Sequence, residues 1–259
     1  MTDTDELVLD RRGHVLVARI NRPDARNALN PAVMLGLGAA VLSAENDPDI
    51  RVLVITGTGD RAFSAGLDLR AFHGSEFADS ASKPEMKAFQ RLLKHDVRVP
   101  LVGAANASAL AGGFELLLSC DIIVVADSAK LGLPEVKRGL FAAGGGMTLG
   151  TRVPLSIALE LTLTGDSIDA ARGASIGLVN AVVPADQVLD TALGYAERIA
   201  ENAPLAVAAS KELIRLTVTD AAAADERFGE TYAKVFGSQD AKEGGLAFFE
   251  KRAPVWQSC

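Results

Sequence analysis

The sequence is poor in cysteine, histidine and aromatic residues. Only two cysteines and three histidines occur among 259 residues, and aromatic side chains make up 5%. Neither Cys120 nor Cys259 lies in a metal-ligand or Cys-x-x-Cys spacing, which argues against a local thiolate metal site or a dithiol redox centre. Two unpaired thiols are typical of a protein that works in a reducing compartment.

The three histidines are also scattered. His14 lies in a predicted strand, His73 in a polar loop and His95 near the end of a predicted helix. None belongs to a Gly-x-Ser-x-Gly elbow or a His-x-x-x-His pair, so we expect no metal site and no histidine-activated nucleophile. No dinucleotide fingerprint follows a predicted strand, so a nicotinamide cofactor is not implied.

Long apolar runs and excess positive charge are absent as well. No uninterrupted apolar stretch reaches the ~18 residues that cross a bilayer, and the acidic residues 2–6 resemble neither a signal peptide nor a transit peptide. The formal net charge of −7 argues against nucleic acid, because phosphate backbones require a basic surface. We therefore expect a cytoplasmic protein with no membrane or nucleic-acid partner, although a few local cations suffice for a phosphate-bearing small ligand.

What the chain does contain is alternating strand and helix patterns, with 49% hydrophobic residues to build a core. Strands are predicted over residues 7–11, 14–20, 52–57, 101–105 and 122–126, and helices over residues 31–45 and 84–94. Strands that alternate with loop–helix units predict an α/β protein with parallel strands. In such folds ligands usually bind in the loops that follow the strands.

The last sixty residues have a different pattern. Helices are predicted over residues 185–201, 204–216, 221–236 and 240–249, with no convincing strand. The break at residues 202–204 predicts a boundary between a core of residues 1–201 and a helical region of residues 202–259. Because this region lacks a large core of its own, we expect it to pack on a neighbouring segment or a partner subunit.

Two glycine-containing loops follow predicted strands, at residues 63–68 and at residues 111–115, which read Ala-Gly-Gly-Phe-Glu. Glycine lets a backbone approach a ligand closely, and the start of a helix presents free N–H groups. Two converging amides beside the Glu115 carboxylate would form an oxyanion hole with an acid–base group. Taken singly, each loop is equally typical of an ordinary turn, and Glu115 of a residue that complements the helix dipole.

Five motifs in order resemble those of the crotonase family, also called the enoyl-CoA hydratase/isomerase superfamily. They occupy residues 21–29, residues 63–69, residues 111–122, residues 131–146 and residues 240–252. The resemblance covers nearly the whole chain. It implies a crotonase-type spiral of repeated ββα units with a C-terminal all-helical region that drives assembly of a homotrimer, or of a homohexamer made from two trimers.

The resemblance also implies a site for an acyl-CoA thioester. The thioester oxygen would lie between the backbone amides of Leu67 and Gly112, and Glu115 and Glu135 align with the family's two catalytic glutamates. Further contacts to coenzyme A or substrate are implied for Arg26, Ala28, Ala65, Asp68, Leu69 and Lys251, with Lys251 acting from a neighbouring subunit and Asp68 fixing its loop. No separate cofactor or metal is implied, because the substrate carries coenzyme A.

Two carboxylates suit the addition of water to an enoyl thioester, because one group activates water and the other protonates the α-carbon. In the resulting hypothesis Glu115 is the base and Glu135 the acid, although coupled carboxylates can share the proton. We therefore predict an enoyl-CoA hydratase that converts a trans-2-enoyl-CoA into a 3-hydroxyacyl-CoA. Isomerisation, hydration of a crotonobetainyl-type acyl group and acyl-CoA binding with little turnover stay open, as does the acyl chain.

Three features depart from the common family pattern. Ala111 replaces the first of three glycines, Leu67 stands where many hydratases have alanine, and residues 139–143 lack a Pro-Gly pair. These departures bear on the acyl preference more than on the fold.

Overall fold

The computed structural model describes residues 6–72 and 76–259, so His73 lies outside the described residues. The strands are β1 (Leu7–Arg12), β2 (Val15–Ile20), β3 (Val52–Gly57), β4 (Leu101–Ala105), β5 (Ala109–Leu110), β6 (Ile122–Ala126), β7 (Lys130–Gly132), β8 (Ile168–Asp169) and β9 (Ala181–Val183). The α-helices are α1 (Pro31–Asn46), α2 (Leu69–Phe72), α3 (Glu76–Ser80), α4 (Pro84–Leu93), α5 (Gly112–Leu118), α6 (Leu155–Thr164), α7 (Ala170–Ser175), α8 (Val188–Ala200), α9 (Pro204–Thr219), α10 (Ala221–Phe236) and α11 (Gln239–Glu250). Short 3₁₀ segments occupy Pro23–Ala25, Pro134–Arg138, Gly146–Thr151 and Ala185–Gln187.

Two sheets organise the strands. The larger has the order β1-β2-β3-β4-β6-β9, in which β1 and β2 are antiparallel and the later neighbours are parallel. The smaller contains β5, β7 and β8. The predicted α/β fold with parallel strands is therefore confirmed. All six residues of β3 are buried, as expected for a central parallel strand with both faces covered.

The core is built mainly from aliphatic side chains. Its largest fully buried members include Phe63 and Phe114, beside leucines and isoleucines from the strands and helices. Helix α8 contributes small residues at helical spacing, among them Ala192, Ala196 and Ala200, so it packs closely on the large sheet. Burial raises the pKa of the Cys120 thiol to about 12, as expected for a cysteine that only fills space.

Several short elements are not predicted from the sequence, namely α3, α7, β5, β7, β8 and β9. Each contains six residues or fewer, which is too short to display a clear period. The α5 helix begins at Gly112, within the glycine loop itself. His14 lies in the turn between β1 and β2 rather than in a strand.

The C-terminal region is helical, as predicted, and packs on the body mainly at one charged junction. Helix α9 contributes no buried residue, and a cavity of about 930 Å³ lies between α9, α10 and the body. Lys211 Nζ lies 2.8 Å from Asp121 Oδ2, and Arg215 Nη2 lies 2.6 Å from Asp121 Oδ1. Burial tends to raise the pKa of Asp121, but the two cations outweigh it and hold the pKa below its usual value. These pairs attach α9 to the body.

Many apolar side chains of this region face outward. Among the described residues they include Ile214, Val218, Phe228, Tyr232, Phe236, Leu246, Phe248 and Phe249, each more than half exposed. The rings of Tyr232 and Phe236 stack with centroids 4.2 Å apart, forming an apolar ridge along α10. No helix in the described part of the chain has both the length and the apolarity to cross a bilayer.

Replacing Asp121 with asparagine removes the negative charge that two cations share. Because Lys211 and Arg215 would then lack a counter-ion, we expect the free energy of unfolding to fall by about 3 kcal/mol, the usual cost of breaking a buried pair. Urea denaturation at one protein concentration measures the change. The matched control is Glu160→Gln, which breaks an exposed pair with Arg172 and should have little effect. Equal losses in both variants would contradict a special role for Asp121.

Candidate active site

The first glycine loop, residues 63–68, is fixed by a short bridge to the chain at Leu29. The Leu29 N–H donates to Gly66 O at 2.7 Å, and the Asp68 N–H donates to Leu29 O at 2.9 Å. Together these bonds form a parallel bridge between Leu29 and Leu67. In a parallel bridge of this kind, Leu29 bonds to the residues on either side of Leu67, which are Gly66 and Asp68. The N–H of Leu67 itself therefore points away from Leu29.

The second glycine loop begins at Ala111, which has a φ angle of 51°. Residues other than glycine rarely adopt this region, so the substitution of alanine here is accommodated with some backbone strain. The N–H of Ala111 donates to Gly132 O at 2.9 Å, and its carbonyl accepts from the N–H groups of Phe114 and Glu115. These bonds fix the start of α5 and the direction of its first amides.

The two loops meet backbone to backbone. A Cβ placed on Gly66 would lie 2.8 Å from Gly112 N, and one placed on Gly112 would lie 3.4 Å from Leu67 N. A Cβ on Gly113 would collide with the carbonyl of Ser64. Within the described residues, neither Leu67 N–H nor Gly112 N–H has a hydrogen-bond acceptor. The predicted pair of amides is therefore brought together by glycines that keep the approach open.

Glu115 lies in the first turn of α5, close to the point where the two loops meet. Its side chain is largely buried, and Oε1 accepts from Gly144 N–H at 2.7 Å and from Gly146 N–H at 2.9 Å. The other oxygen, Oε2, would lie 3.7 Å from a Cβ placed on Gly112. Burial raises the pKa of Glu115, and the two N–H groups oppose that rise by stabilising the charged form. One carboxylate oxygen is thus anchored and the other faces the loops.

Glu135 lies in the 3₁₀ segment Pro134–Arg138 and is half-buried. Its Oε2 is buried, with no hydrogen-bond partner among the described residues. Desolvation raises the pKa of Glu135, and repulsion from Glu115 raises it further. A carboxyl group in these surroundings holds its proton more readily than one in water. The structure therefore brings the two predicted glutamates close enough to interact, in environments of different character.

Two residues predicted to contact coenzyme A share a cavity beside the first loop. Arg26 and Ala65 line a cavity of about 350 Å³ together with Arg61 and Ser108. The N–H of Ala65 donates to Arg26 O at 3.0 Å, so the two segments are directly joined. Arg61 is a further cation of this cavity that the motifs do not include. Its position two residues before the first loop is the signal in the sequence that could have found it.

The other predicted contact residues have separate environments. The carbonyl of Ala28 accepts from Arg22 Nη1 at 2.7 Å, and Asp68 Oδ2 lies 2.9 Å from Arg22 Nη2. Leu69 begins α2 and is 55% exposed. Lys251 follows α11 in an exposed position, with no hydrogen bond or ion pair to the loop of Arg26 among the described residues. Its contact with coenzyme A stays a prediction.

These parts together define a consistent chemistry. Two backbone amides lie together where the loops meet, a carboxylate oriented by two N–H groups lies beside them, and the pKa of a second carboxyl group is raised by burial and by the first carboxyl group. Such an arrangement can stabilise negative charge on a carbonyl oxygen while protons are exchanged at neighbouring atoms. It is suited to reactions that pass through an enolate.

Comparison with known proteins gives consistent matches. Residues 10–259 match the family described as enoyl-CoA hydratase/isomerase. Enoyl-CoA hydratase EchA19 of Mycobacterium tuberculosis is 41% identical over 98% of this chain and 97% of its own length. Carnitinyl-CoA dehydratase of Salmonella typhi is 37% identical over 98% and 99%, respectively. The crystal structure of a probable enoyl-CoA hydratase/isomerase from Mycobacterium abscessus has a TM-score of 0.90 at 46% identity, covering 99% of this chain and 100% of that one. The crotonase-type fold predicted from the motifs is confirmed.

The interaction between the two carboxyl groups can be measured directly. Because the charge of Glu115 raises the pKa of Glu135, we expect Glu115→Gln to lower the pKa of Glu135. The glutamine oxygen still accepts from Gly144 and Gly146, so the local geometry should persist. Carbon-13 NMR of labelled glutamate carboxyl groups as a function of pH measures the shift. Glu197→Gln, at an exposed position of α8, is the control, and an unchanged Glu135 titration in Glu115→Gln would contradict the interaction.

Proposed function

The chain belongs to the enoyl-CoA hydratase/isomerase family, and we propose that it is an enoyl-CoA hydratase. It would add water across the double bond of a trans-2-enoyl-CoA to give a 3-hydroxyacyl-CoA. The observation that carries this proposal is the pair of interacting glutamates, Glu115 and Glu135, beside two amides without acceptors among the described residues. The members of such a pair can divide the roles of base and acid between them.

The proposed reaction begins with the thioester oxygen between Leu67 N–H and Gly112 N–H. Water attacks the β-carbon while Glu115 takes a proton from it, and the π electrons of the double bond move toward the thioester oxygen as an enolate. The two amides stabilise that charge, and removal of one such donor typically costs ~10²–10³ in rate. Collapse of the enolate then takes a proton from Glu135 onto the α-carbon.

The proposed reaction changes the protonation of both carboxyl groups. The product contains one added water, Glu115 has gained a proton and Glu135 has lost one, so exchange of one proton resets the pair. Burial raises the pKa of Glu115, but its two N–H donors oppose that rise by stabilising the charged form, which suits a base. The buried, unpartnered oxygen of Glu135 in the described structure favours its neutral form, which suits an acid.

A hydrocarbon acyl group is the substrate that we favour. The stretch of residues 139–147 follows the segment of Glu135, donates two N–H bonds to Glu115 and contains no charged residue. Leu140, Phe141 and Met147 in this loop are all more than half exposed. A quaternary ammonium group usually binds in a cage of several aromatic rings, and this loop offers one. The likeness to a carnitinyl-CoA dehydratase nevertheless makes a crotonobetainyl-type acyl group the second candidate.

We also propose that residues 202–259 form the assembly region of a homotrimer or homohexamer. The exposed ridge of Phe228, Tyr232 and Phe236 on α10 supports this assignment, because monomeric proteins rarely expose a large contiguous apolar patch. Assembly would also give Lys251 a route to the coenzyme A of a neighbouring subunit. Light scattering distinguishes the two assemblies from a monomer.

Hydration depends on both glutamates in this mechanism. We expect Glu115→Gln and Glu135→Gln each to lower kcat by ~10²–10⁴, the usual contribution of a positioned acid or base. The assay is the loss of enoyl-thioester absorbance with crotonyl-CoA and with a longer trans-2-enoyl-CoA. Glu197→Gln is the control and should keep full activity.

Other outcomes would identify the rival functions. Turnover that survives in both glutamine variants would contradict the proposed roles. Binding without turnover of either 2-enoyl substrate would contradict hydration of simple acyl chains. Assays with a 3-enoyl-CoA and with crotonobetainyl-CoA would then separate an isomerase from a hydratase of polar acyl groups.

A further inference from the structure

Arg22 is a largely buried cation that the proposed chemistry does not use. Its side chain is 16% exposed, and its guanidinium has three different partners. Nη2 lies 2.9 Å from Asp68 Oδ2, Nε lies 3.0 Å from Glu6 Oε1, and Nη1 donates to Ala28 O at 2.7 Å. One planar group therefore binds three segments that are distant in the sequence.

Two of those partners adjoin the bridge that orients the first amide. Ala28 precedes Leu29 and Asp68 follows Leu67, which are the two residues of the bridge. The guanidinium of Arg22 thus connects the two chain segments of the bridge, through Ala28 on one segment and Asp68 on the other. If this connection is lost, Leu67 keeps the two backbone bonds made by Leu29 but loses the side-chain link between the two segments.

The segment that directly precedes Ala28 and Leu29 has a strained backbone. Arg26 and Asn27 have φ angles of 52° and 53°, and consecutive non-glycine residues in this region persist only where their surroundings hold them. Asn27 is fully buried, and its Oδ1 accepts from the backbone N–H of Arg22 at 3.0 Å. Both the backbone and the side chain of Arg22 therefore hold the shape of this segment.

We propose that Arg22 is a positioning residue for the first oxyanion amide, an inference that rests on the proposed function. By holding Ala28 and Asp68 in one rigid fork, it keeps the N–H of Leu67 aimed at the thioester oxygen. Lysine would preserve the charge but not the fork, because an ammonium group is a flexible point charge. Arg22→Lys is therefore the informative substitution.

The kinetic signature of this role is a loss of kcat. An oxyanion donor acts mainly on charge that develops in the transition state, and complete removal of one costs ~10²–10³. A misaimed donor should retain part of that effect. We therefore expect Arg22→Lys to lower kcat for crotonyl-CoA by roughly 10- to 100-fold, with a much smaller change in KM. Arg11→Lys is the matched control, since Arg11 pairs with Asp47 at the surface.

A second readout does not depend on turnover. Butyryl-CoA labelled with carbon-13 at the thioester carbonyl cannot be hydrated, and hydrogen bonds to its oxygen move the carbonyl resonance downfield. We expect a smaller downfield shift on binding to Arg22→Lys than on binding to the wild-type protein or to Arg11→Lys. A reduced shift in a protein that hydrates no substrate would support the role of Arg22 while contradicting the proposed function.

Asp68→Asn provides a second variant if Arg22→Lys does not fold, as judged by circular dichroism. It weakens the same ion pair, and we expect it to reduce kcat and the carbonyl shift in the same direction. In the double variant the loss should not exceed that of Arg22→Lys alone, because Asp68→Asn acts through a contact that Arg22→Lys already disrupts. A raised KM with unchanged kcat and unchanged carbonyl shift in both single variants would overturn the proposal.

Discussion

The close approach of two backbone loops is the constraint on which the rest of the site depends. Gly66, Gly112 and Gly113 contribute no side chains where the loop after β3 meets the start of α5. The bridge from Ser64 to Ala109 holds the loops in register. Any Cβ at Gly66 or Gly113 would push the loops apart, and the two amides would then no longer share one space. The site therefore depends on the absence of side chains at these glycines as much as on its functional side chains.

The carboxyl groups depend on the same approach. Helix α5 begins at Gly112, so the place where the loops meet also sets the position of Glu115 one turn later. Glu115 in turn accepts from Gly144 and Gly146, and this anchors the segment that follows Glu135. The amides of Leu67 and Gly112 and both glutamates thus form one connected unit, in which displacement of one part displaces the others.

The sequence predicts those parts that are encoded locally. Long apolar runs identify β3 and β4, and Asn30 before Pro31 identifies the start of α1, where its side chain accepts from Val33 N–H. Short elements such as β5 and β8 form only because a partner strand is present, so no local pattern reveals them. The glutamates and glycine loops were identified through their motifs. The contacts of Arg22, which join residues far apart in the chain, depend on tertiary structure.

The anchoring of Glu115 by main-chain donors has an evolutionary consequence. The two bonds use backbone N–H groups, which every residue except proline supplies. The donors Gly144 and Gly146 cannot take a side chain without a clash, since a Cβ on Gly144 would lie 2.8 Å from Glu115 Oε2, but the bonds need no side chain from the rest of the loop. Leu140, Phe141 and Met147 can therefore mutate while the anchored carboxylate keeps its orientation. Substitutions among these exposed apolar side chains thus need not disturb the carboxylate, so the surface of the loop and the orientation of Glu115 can change independently in evolution.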